Sequence, residues 1–289
     1  MKNSGKRRNL ERIARGVATG ALKSVDTALA TGFPTRVPDD MPRPVFIVGV
    51  PRSGTTVVYQ AMTTAWHFAY INNVTARFPR SIARASRLLR AHRWAVSKEF
   101  RNFAGGTPGS AGPNEAVAVW AHAFPSDTHE AVQPEEVDPD RERWLVASVA
   151  CLADQFQAPF ISKTPCNSLR ISALASIFPK ALFVVVKRNL LEVAQSLLAA
   201  RRQRCGNERG HYSVIPRGLE KRGNLPPVEY VAEQVSLTEI AIREAQNEIP
   251  GTASTKSIIK TSAPIRAARS AGLKSSVPIK AWNSSDGRR

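Results

Sequence analysis

The feature that most constrains the fold is a set of three short apolar segments, each followed by a loop and then by a helical pattern. The first segment runs over Pro44–Val50 and precedes a turn at Pro51–Gly54 and a helix predicted over Thr55–Trp66. Its apolar run is continuous and rich in β-branched residues, as is typical of a strand buried on both faces. Strands joined in this way by helices pair in parallel.

The second and third segments repeat the arrangement later in the chain. The predicted elements are the strands Phe160–Ser162 and Ala181–Lys187, the loops Lys163–Asn167 and Arg188–Asn189, and the helices Ser168–Phe178 and Leu190 to about Arg202. We therefore predict an α/β fold, a P-loop-like three-layer arrangement with a central parallel sheet and helices on both faces. In such sheets ligands bind at the carboxyl ends of the strands, where all three loops lie.

The remaining segments give the domain organisation. Residues 80–157, between the first and second units, are predicted to be a mainly helical insertion that shapes a substrate pocket or lid. A further helix is predicted over Val228–Ile249, and an amphipathic helix with a basic flank over residues 9–30, more typical of a solvated helix on the domain than of membrane contact. We divide the chain into a basic N-terminal helix and linker (1–43), an α/β domain (44–250) and a basic tail (251–289), predicted to be poorly ordered or aberrant and to add no strand.

The charge distribution favours a small anionic ligand over a long polyanion. The chain of 289 residues has a net charge of +18, but residues 1–44 and 251–289 supply +12 of it. The 206 residues between them carry only +6, so nucleic acid is not the expected partner. The three cysteines show neither disulfide nor zinc-ligand spacing, and no apolar run approaches the roughly 20 residues of a membrane span. We expect a cytoplasmic protein without a metal.

The loop after the first strand has the composition of an anion-binding site. Gly49-Val-Pro-Arg-Ser-Gly-Thr-Thr56 has the G-x-x-x-x-G frame of a phosphate-binding loop, between a buried strand and a helix. Backbone N–H groups and the helix dipole would both favour an anion there. Thr55 stands where a nucleotide triphosphatase has lysine, which disfavours a P-loop kinase, and the cation of this loop is Arg52. The alternative is a structural turn without an anion.

The segment PVFIVGVPRSGTT resembles the 5′-phosphosulfate-binding segment of sulfotransferases, in the form found in their bacterial branch and in tyrosylprotein sulfotransferases. The resemblance is specific over residues 44–64 and 159–201 and weak after 203. It implies that the donor is 3′-phosphoadenosine 5′-phosphosulfate. It also implies that the donor is bound by Arg52, Ser53, Gly54, Thr55 and Thr56.

The same family pattern has a second half, a strand that ends in Arg with a Ser eight residues later. Arg188 and Ser196 match it, and the resemblance implies that they bind the 3′-phosphate of the donor. A guanidinium can hold phosphate through two hydrogen bonds, and a hydroxyl on the next helix adds a donor. Asn189 and Leu190 stand where many members have Asp and Pro. The alternative is an ordinary Arg at a strand end and a Ser on a helix surface.

Three residues are candidates for the chemistry. Arg52 and Lys163 could stabilise the negative charge that grows on the leaving group, and Ile161–Pro165 resembles the Lys-x-Pro segment of the family. Glu115 lies in Gly112–Trp120, which resembles an acidic segment of bacterial members, and could accept the proton of the acceptor. Equally, Glu115 could serve only the dipole of the following helix, and Lys163 could be a solvated side chain. A histidine base is the second choice, from His67, His92, His122, His129 and His211.

We therefore expect a sulfotransferase that acts on a hydroxyl or amine of a small molecule, carbohydrate or lipid, with an activity that the atypical C-terminal tail could impair. The alternative is a non-catalytic basic protein that binds nucleotide or nucleic acid, for which the basic ends of the chain would be responsible. The sequence gives no indication of the oligomeric state or of the acceptor.

Overall fold

A four-stranded parallel sheet organises the protein. The computed structural model describes residues 19–30, 40–94, 107–124, 130–206, 211–249 and 257–260, the last as backbone. The strands are β1 (Val45–Val48), β2 (Ile161–Lys163), β3 (Leu182–Lys187) and β4 (Ser257–Lys260), in the spatial order β2-β1-β3-β4. All three pairings are parallel, so every strand ends at the same edge of the sheet.

Eight α-helices lie in the described residues. They are α1 (residues 19–30), α2 (Thr55–Ala65), α3 (Ile82–Leu88), α4 (Val117–Ala123), α5 (Pro139–Phe156), α6 (Ile171–Ile177), α7 (Leu190–Cys205) and α8 (Pro227–Glu248). Helices α2 to α5 lie in the connection from β1 to β2, which runs toward one edge of the sheet. Helix α6 connects β2 to β3, and α7 and α8 connect β3 to β4, so these connections run toward the other edge. Because such crossovers are right-handed, the two groups cover opposite faces of the sheet. The predicted α/β fold and its helical insertion are confirmed. None of the described helices is long and apolar enough to cross a membrane.

The central strand β1 forms the middle of the core. All four of its residues are buried, and Phe46 is fully inaccessible. The Phe46 ring lies 5.7 Å from the rings of Phe178 and Phe183 and 6.1 Å from that of Trp120. These aromatic residues come from β3, from the insertion and from the end of α6, so the core joins all parts of the predicted domain. The continuous apolar pattern of β1 follows from its burial on both faces.

The connections at β1 and β3 create a crevice at the carboxyl edge of the sheet. The chain leaves β1 toward β2 and leaves β3 toward β4, which lie on opposite sides. Two neighbouring strands with diverging connections form the topological switch point at which open α/β sheets bind ligands. The loops that begin at Gly49 and at Arg188 flank this point.

Two elements differ from the sequence prediction. The helix predicted over Ser168–Phe178 begins later, at Ile171, because a 3₁₀ turn over Pro165–Leu169 precedes it. The tail was expected to add no strand, which is wrong for Ser257–Lys260, since these residues pair with Val184–Lys187 of β3. A four-residue strand is too short to predict, but it covers the edge that β3 would otherwise leave open. Residues 261–289 and the predicted helix over residues 9–18 lie outside the described residues.

A buried carboxylate attaches the N-terminal helix to the insertion. Asp26 of α1 is 5% exposed and accepts a 2.6 Å hydrogen bond from Ser81 Oγ and 3.2 Å bonds from Arg80 N. Ser81 directly precedes α3, and its own side chain makes no capping bond. Asp26 therefore satisfies donors at the start of α3, where a negative charge also interacts well with the helix dipole. Arg84 adds a 2.7 Å bond to Leu29 O. These contacts tie residues 19–30 to the domain.

Replacing the carboxylate should destabilise the whole domain. We expect Asp26→Ala to lower the free energy of unfolding by about 2 to 3 kcal/mol, because it leaves the buried Ser81 hydroxyl and the part-buried Arg80 N–H without an acceptor. The measurement is urea unfolding followed by circular dichroism, with the exposed Asp40→Ala as the control. Equal stability of the two variants would show that α1 does not stabilise the domain.

Candidate active site

The loop after β1 approaches β3 closely enough to require glycine at its first position. A Cβ atom on Gly49 would lie 2.6 Å from Val186 O and 2.8 Å from Ser53 Oγ. The loop then turns through two residues with left-handed backbone, Arg52 at φ 75° and Gly54 at φ 100°. Gly54 also begins α2, and its carbonyl accepts the first helical hydrogen bonds, from Val57 and Val58. This backbone turns the start of α2 toward the crevice.

The three hydroxyl residues of the loop differ from Arg52 in their exposure. Ser53 and Thr55 are 1% and 7% exposed, and both side chains lie against Gly49. Both side chains face the protein. Ser53 N–H donates a 3.0 Å hydrogen bond to Val50 O, so of these two residues only Thr55 can offer its backbone N–H group to an anion. The first N–H groups of a helix have no intrahelical partner and carry the positive end of its dipole. Arg52, in contrast, is exposed and can add a full positive charge.

The structure brings Arg52, Arg188 and Ser196 together. Arg52 Nε donates a 3.1 Å hydrogen bond to Ser196 Oγ, and Arg188 Nη1 donates one of 3.3 Å to Arg52 O. These residues come from the loop after β1, from the end of β3 and from α7. Arg52 is 136 residues from Arg188 and 144 from Ser196 in sequence, and the β1–β3 pairing brings it to them. At the switch point the Arg52 guanidinium thus contacts the Ser196 hydroxyl, and the Arg188 guanidinium contacts the Arg52 backbone.

Asn189, which stands where many family members have Asp, caps the start of α7. Its side-chain oxygen accepts hydrogen bonds of 3.0 Å from Leu191 N and 3.2 Å from Glu192 N. Asparagine caps a helix as well as aspartate does, so the departure from the family pattern keeps this function. Arg188, directly before the cap, forms an ion pair of 2.9 Å with Glu192 one turn later.

Lys163 and Glu115 form a second group of functional side chains. Lys163 is 3% exposed, its Nζ donates a 2.9 Å hydrogen bond to Thr56 Oγ1, and it is ion-paired with Glu115. Thr56 lies in the first turn of α2, so this pair is attached to the loop that carries Arg52. The alternative that Lys163 is a solvated side chain is wrong, because its ammonium group is buried and has two protein partners. A buried charge of this kind requires such partners.

The insertion positions Glu115 through a network of asparagines. Asn114 Nδ2 donates to Asn73 Oδ1 at 2.7 Å, and Asn114 Oδ1 accepts from Ala116 N at the same distance. Asn73 in turn donates to Thr107 O at 2.6 Å. Ala116 has a left-handed backbone at φ 51°, and α4 begins only after it. Glu115 therefore precedes the helix, and its carboxylate points to Lys163. A glutamate that only interacted with the dipole of α4 would not need this direction.

Ser168 joins the second loop to the first and was not predicted from sequence. Its hydroxyl accepts a 3.0 Å hydrogen bond from Gly49 N and donates one of 2.9 Å to Gly49 O. The strand β2 ends at Lys163, opposite Ile47, so no backbone remains to pair with Gly49. The Ser168 hydroxyl replaces the missing strand neighbour. A serine within a 3₁₀ turn gives no sequence signal for such a role.

The histidines considered as a base lie elsewhere. His67 follows α2 at the opposite end from the loop, and its Nε2 lies 2.6 Å from Phe156 O. His92 packs on the Phe156 ring, and His211 lies 3.1 Å from Tyr230 Oη. His122 packs edge-on against Trp144, and burial, with the nearby Arg141 and Arg80, lowers its pKa. His129 lies outside the described residues.

Within the described part of the chain, no group of three His, Cys, Asp or Glu residues could hold a metal ion.

Comparison with known proteins identifies the family. A family model described as "Sulfotransferase family" matches residues 44–225, more than half of the chain. The chain belongs to the sulfotransferase family. The solved structure "Sulfotransferase Domain from the Curacin Biosynthetic Pathway" aligns at a TM-score of 0.38 and 11% sequence identity. The alignment covers 76% of the present chain and 67% of the chain of that structure. No curated protein matches the sequence.

The hydrogen bonds of Ser168 should stabilise this sulfotransferase measurably. We expect Ser168→Ala to lower the free energy of unfolding by about 2 kcal/mol, since two buried bonds to Gly49 are lost. The matched control is Ser172→Ala in α6, whose hydroxyl makes one 3.2 Å bond to Glu248 in an exposed position. Amide hydrogen exchange at Gly49 should quicken in the first variant alone. Unchanged exchange there would contradict the role of Ser168.

Proposed function

We propose that the protein transfers a sulfuryl group from 3′-phosphoadenosine 5′-phosphosulfate to a hydroxyl or amine. The observation that carries the proposal is the contact between Arg188 and Arg52, with Ser196 bonded to the latter. A guanidinium at the end of β3, bonded to the backbone of a loop that carries a second one, suits a ligand with two anionic ends at a switch point. The family resemblance assigns one end, the 5′-phosphosulfate, to the Arg52 loop and the other, the 3′-phosphate, to Arg188 and Ser196.

The residues at the crevice fit such a donor. Gly49 allows the loop to lie against β3, and the start of α2 offers the N–H groups of Gly54, Thr55 and Thr56 to an anion. Arg52 adds its guanidinium, and Ser53 N–H holds the turn of the loop through its bond to Val50 O. The donor, when bound, would supply the activated sulfuryl group. The chain would supply its orientation and a positive environment for charge on the leaving oxygen.

Glu115 is proposed as the base and Lys163 as the group that stabilises the leaving oxygen. Glu115 accepts the proton of the attacking hydroxyl as the new bond between acceptor oxygen and sulfur forms. The bond between sulfur and the bridging oxygen of the donor breaks, and adenosine 3′,5′-bisphosphate leaves. Lys163, with Arg52, would stabilise the negative charge that grows on that oxygen.

The ion pair between Glu115 and Lys163 offers a way to couple the two roles. Before the reaction the buried ammonium of Lys163 and the half-buried carboxylate of Glu115 neutralise each other. When Glu115 takes up the proton it becomes neutral, so the attraction of Lys163 is released to the oxygen that is gaining charge. Thr56, bonded to Lys163 Nζ, keeps the ammonium group beside the donor loop throughout. Proton transfer and leaving-group stabilisation would thus proceed together.

The acceptor site is proposed to include the insertion that carries Glu115. The acceptor is a hydroxyl or amine of a small molecule, carbohydrate or lipid, and we place the reaction in the cytoplasm. The three cysteines all lie in the described part of the chain and form no disulfide, which is compatible with a reducing compartment. Screening acceptor classes with ³⁵S-labelled donor identifies the substrate.

Calorimetry with adenosine 3′,5′-bisphosphate tests the donor assignment directly. We expect saturable binding by the wild type, and about tenfold or greater loss of affinity in both Arg52→Ala and Arg188→Ala, because each removes a charge-assisted contact. Arg222→Ala is the control, since Arg222 pairs with Glu233 on α8, away from the loops. Folded wild-type protein that takes up no bisphosphate at millimolar concentration would reject the proposal.

The base assignment makes a separate prediction about turnover. We expect Glu115→Gln to reduce the rate of sulfuryl transfer by about 10²- to 10⁴-fold, since the amide cannot accept the proton, while bisphosphate affinity changes by less than about threefold. The rate is measured with the ³⁵S-labelled donor and an acceptor from the screen. Glu135→Gln, at an exposed position, serves as the control. An unchanged rate would remove Glu115 as the base.

A further inference from the structure

The guanidinium of Arg188 is already engaged by a carboxylate of the protein. Its Nε and Nη2 atoms both lie 2.9 Å from Glu192 Oε2, and Nη1 donates to Arg52 O. These contacts use the donors with which a guanidinium would hold a phosphate through two parallel bonds. The pair is accessible, with side-chain exposures of 35% for Arg188 and 56% for Glu192. A ligand can therefore reach it from the crevice.

The local structure holds Glu192 in this position. Asn189 accepts hydrogen bonds from the backbone of both Leu191 and Glu192, which fixes the first turn of α7 directly after Arg188. Glu192 lies in this first turn, and its carboxylate reaches back to Arg188, which precedes the cap. The helix dipole also favours an anion in this turn, whether that anion is a carboxylate or a phosphate. The same cap thus places the arginine and its internal anion together.

We propose that Glu192 competes with the 3′-phosphate of the nucleotide for Arg188 and so weakens the binding of 3′-phosphorylated nucleotides. The inference rests on the proposed function, because it takes the nucleotide to be bound with its 3′-phosphate at Arg188. A phosphate must displace the carboxylate to occupy both Nε and Nη2, and it meets the negative charge of Glu192 after doing so. The consequence is faster release of the product, adenosine 3′,5′-bisphosphate.

The competition should affect one end of the nucleotide only. Glu192 contacts Arg188, whereas the 5′-phosphate is assigned to the start of α2 and to Arg52. An exposed ion pair is weak, so the phosphate can displace the carboxylate.

We expect Glu192→Gln to bind adenosine 3′,5′-bisphosphate about three- to tenfold more tightly, with slower dissociation, as one opposing charge is removed. Adenosine 5′-monophosphate, which lacks the 3′-phosphate, should bind equally to both proteins.

The experiment compares the two nucleotides by calorimetry on the full chain. Glu233→Gln is the matched control, because Glu233 is also a solvent-accessible helical glutamate paired with an arginine, at 35% side-chain exposure, and its replacement changes the net charge equally. A double-mutant cycle adds Arg188→Ala and Arg188→Ala/Glu192→Gln. If Glu192 acts through Arg188, its replacement should give less than about a twofold gain in the Arg188→Ala background. Stopped-flow dissociation of the bisphosphate measures the effect on release.

The possible results separate this inference from the proposed function. Weaker bisphosphate binding by Glu192→Gln would overturn it, since the carboxylate would then orient Arg188 rather than compete. A similar gain for the monophosphate or for Glu233→Gln would also overturn it, as a general effect of net charge. Bisphosphate binding by the wild type with no change in the variant would refute the competition alone. No bisphosphate binding by the wild type would refute the proposed function and this inference together.

Discussion

The parallel pairing of β1 with β3 is the constraint on which the rest of the site depends. It sets Val48 opposite Val185, so the chain after β1 must pass beside the carbonyl of Val186. Only glycine fits there, and the loop that follows turns Arg52 toward the end of β3. Without this pairing, Arg52 and Arg188 would be remote in space as they are in sequence. Their contact is a consequence of sheet register.

A second constraint comes from buried polar contacts that join β2 to the same loop. Lys163 donates a hydrogen bond to Thr56, and the Ser168 hydroxyl bonds both N–H and C=O of Gly49. The second loop is therefore attached to the first and cannot move independently of it. Glu115 is brought to Lys163 from the insertion by the asparagines Asn73 and Asn114. Charged groups are thus held in fixed positions before any ligand binds. Such preorganisation is what electrostatic stabilisation of a developing charge requires.

Much of the fold could be predicted because its signals are local. The continuous apolar runs of β1 and β3 and the helices after them follow from patterns within ten to fifteen residues. The start of α6 and the strand β4 were missed, because a 3₁₀ turn after Pro165 and a four-residue edge strand depend on contacts with other elements. The donor and catalytic roles of Arg52, Lys163, Glu115, Arg188 and Ser196 remain predictions, although the structure places these side chains in two connected groups.

By itself the sequence determined the strand, loop and helix units, and the residue types at the ends of the strands. These follow from backbone preferences and from burial, which act over short distances along the chain. Only the tertiary structure decided that Ser168 holds Gly49, that Lys163 is buried against Glu115, and that Arg52 donates to Ser196. Hydrogen bonds and ion pairs depend on distances of a few ångströms between side chains, and packing alone brings distant segments that close.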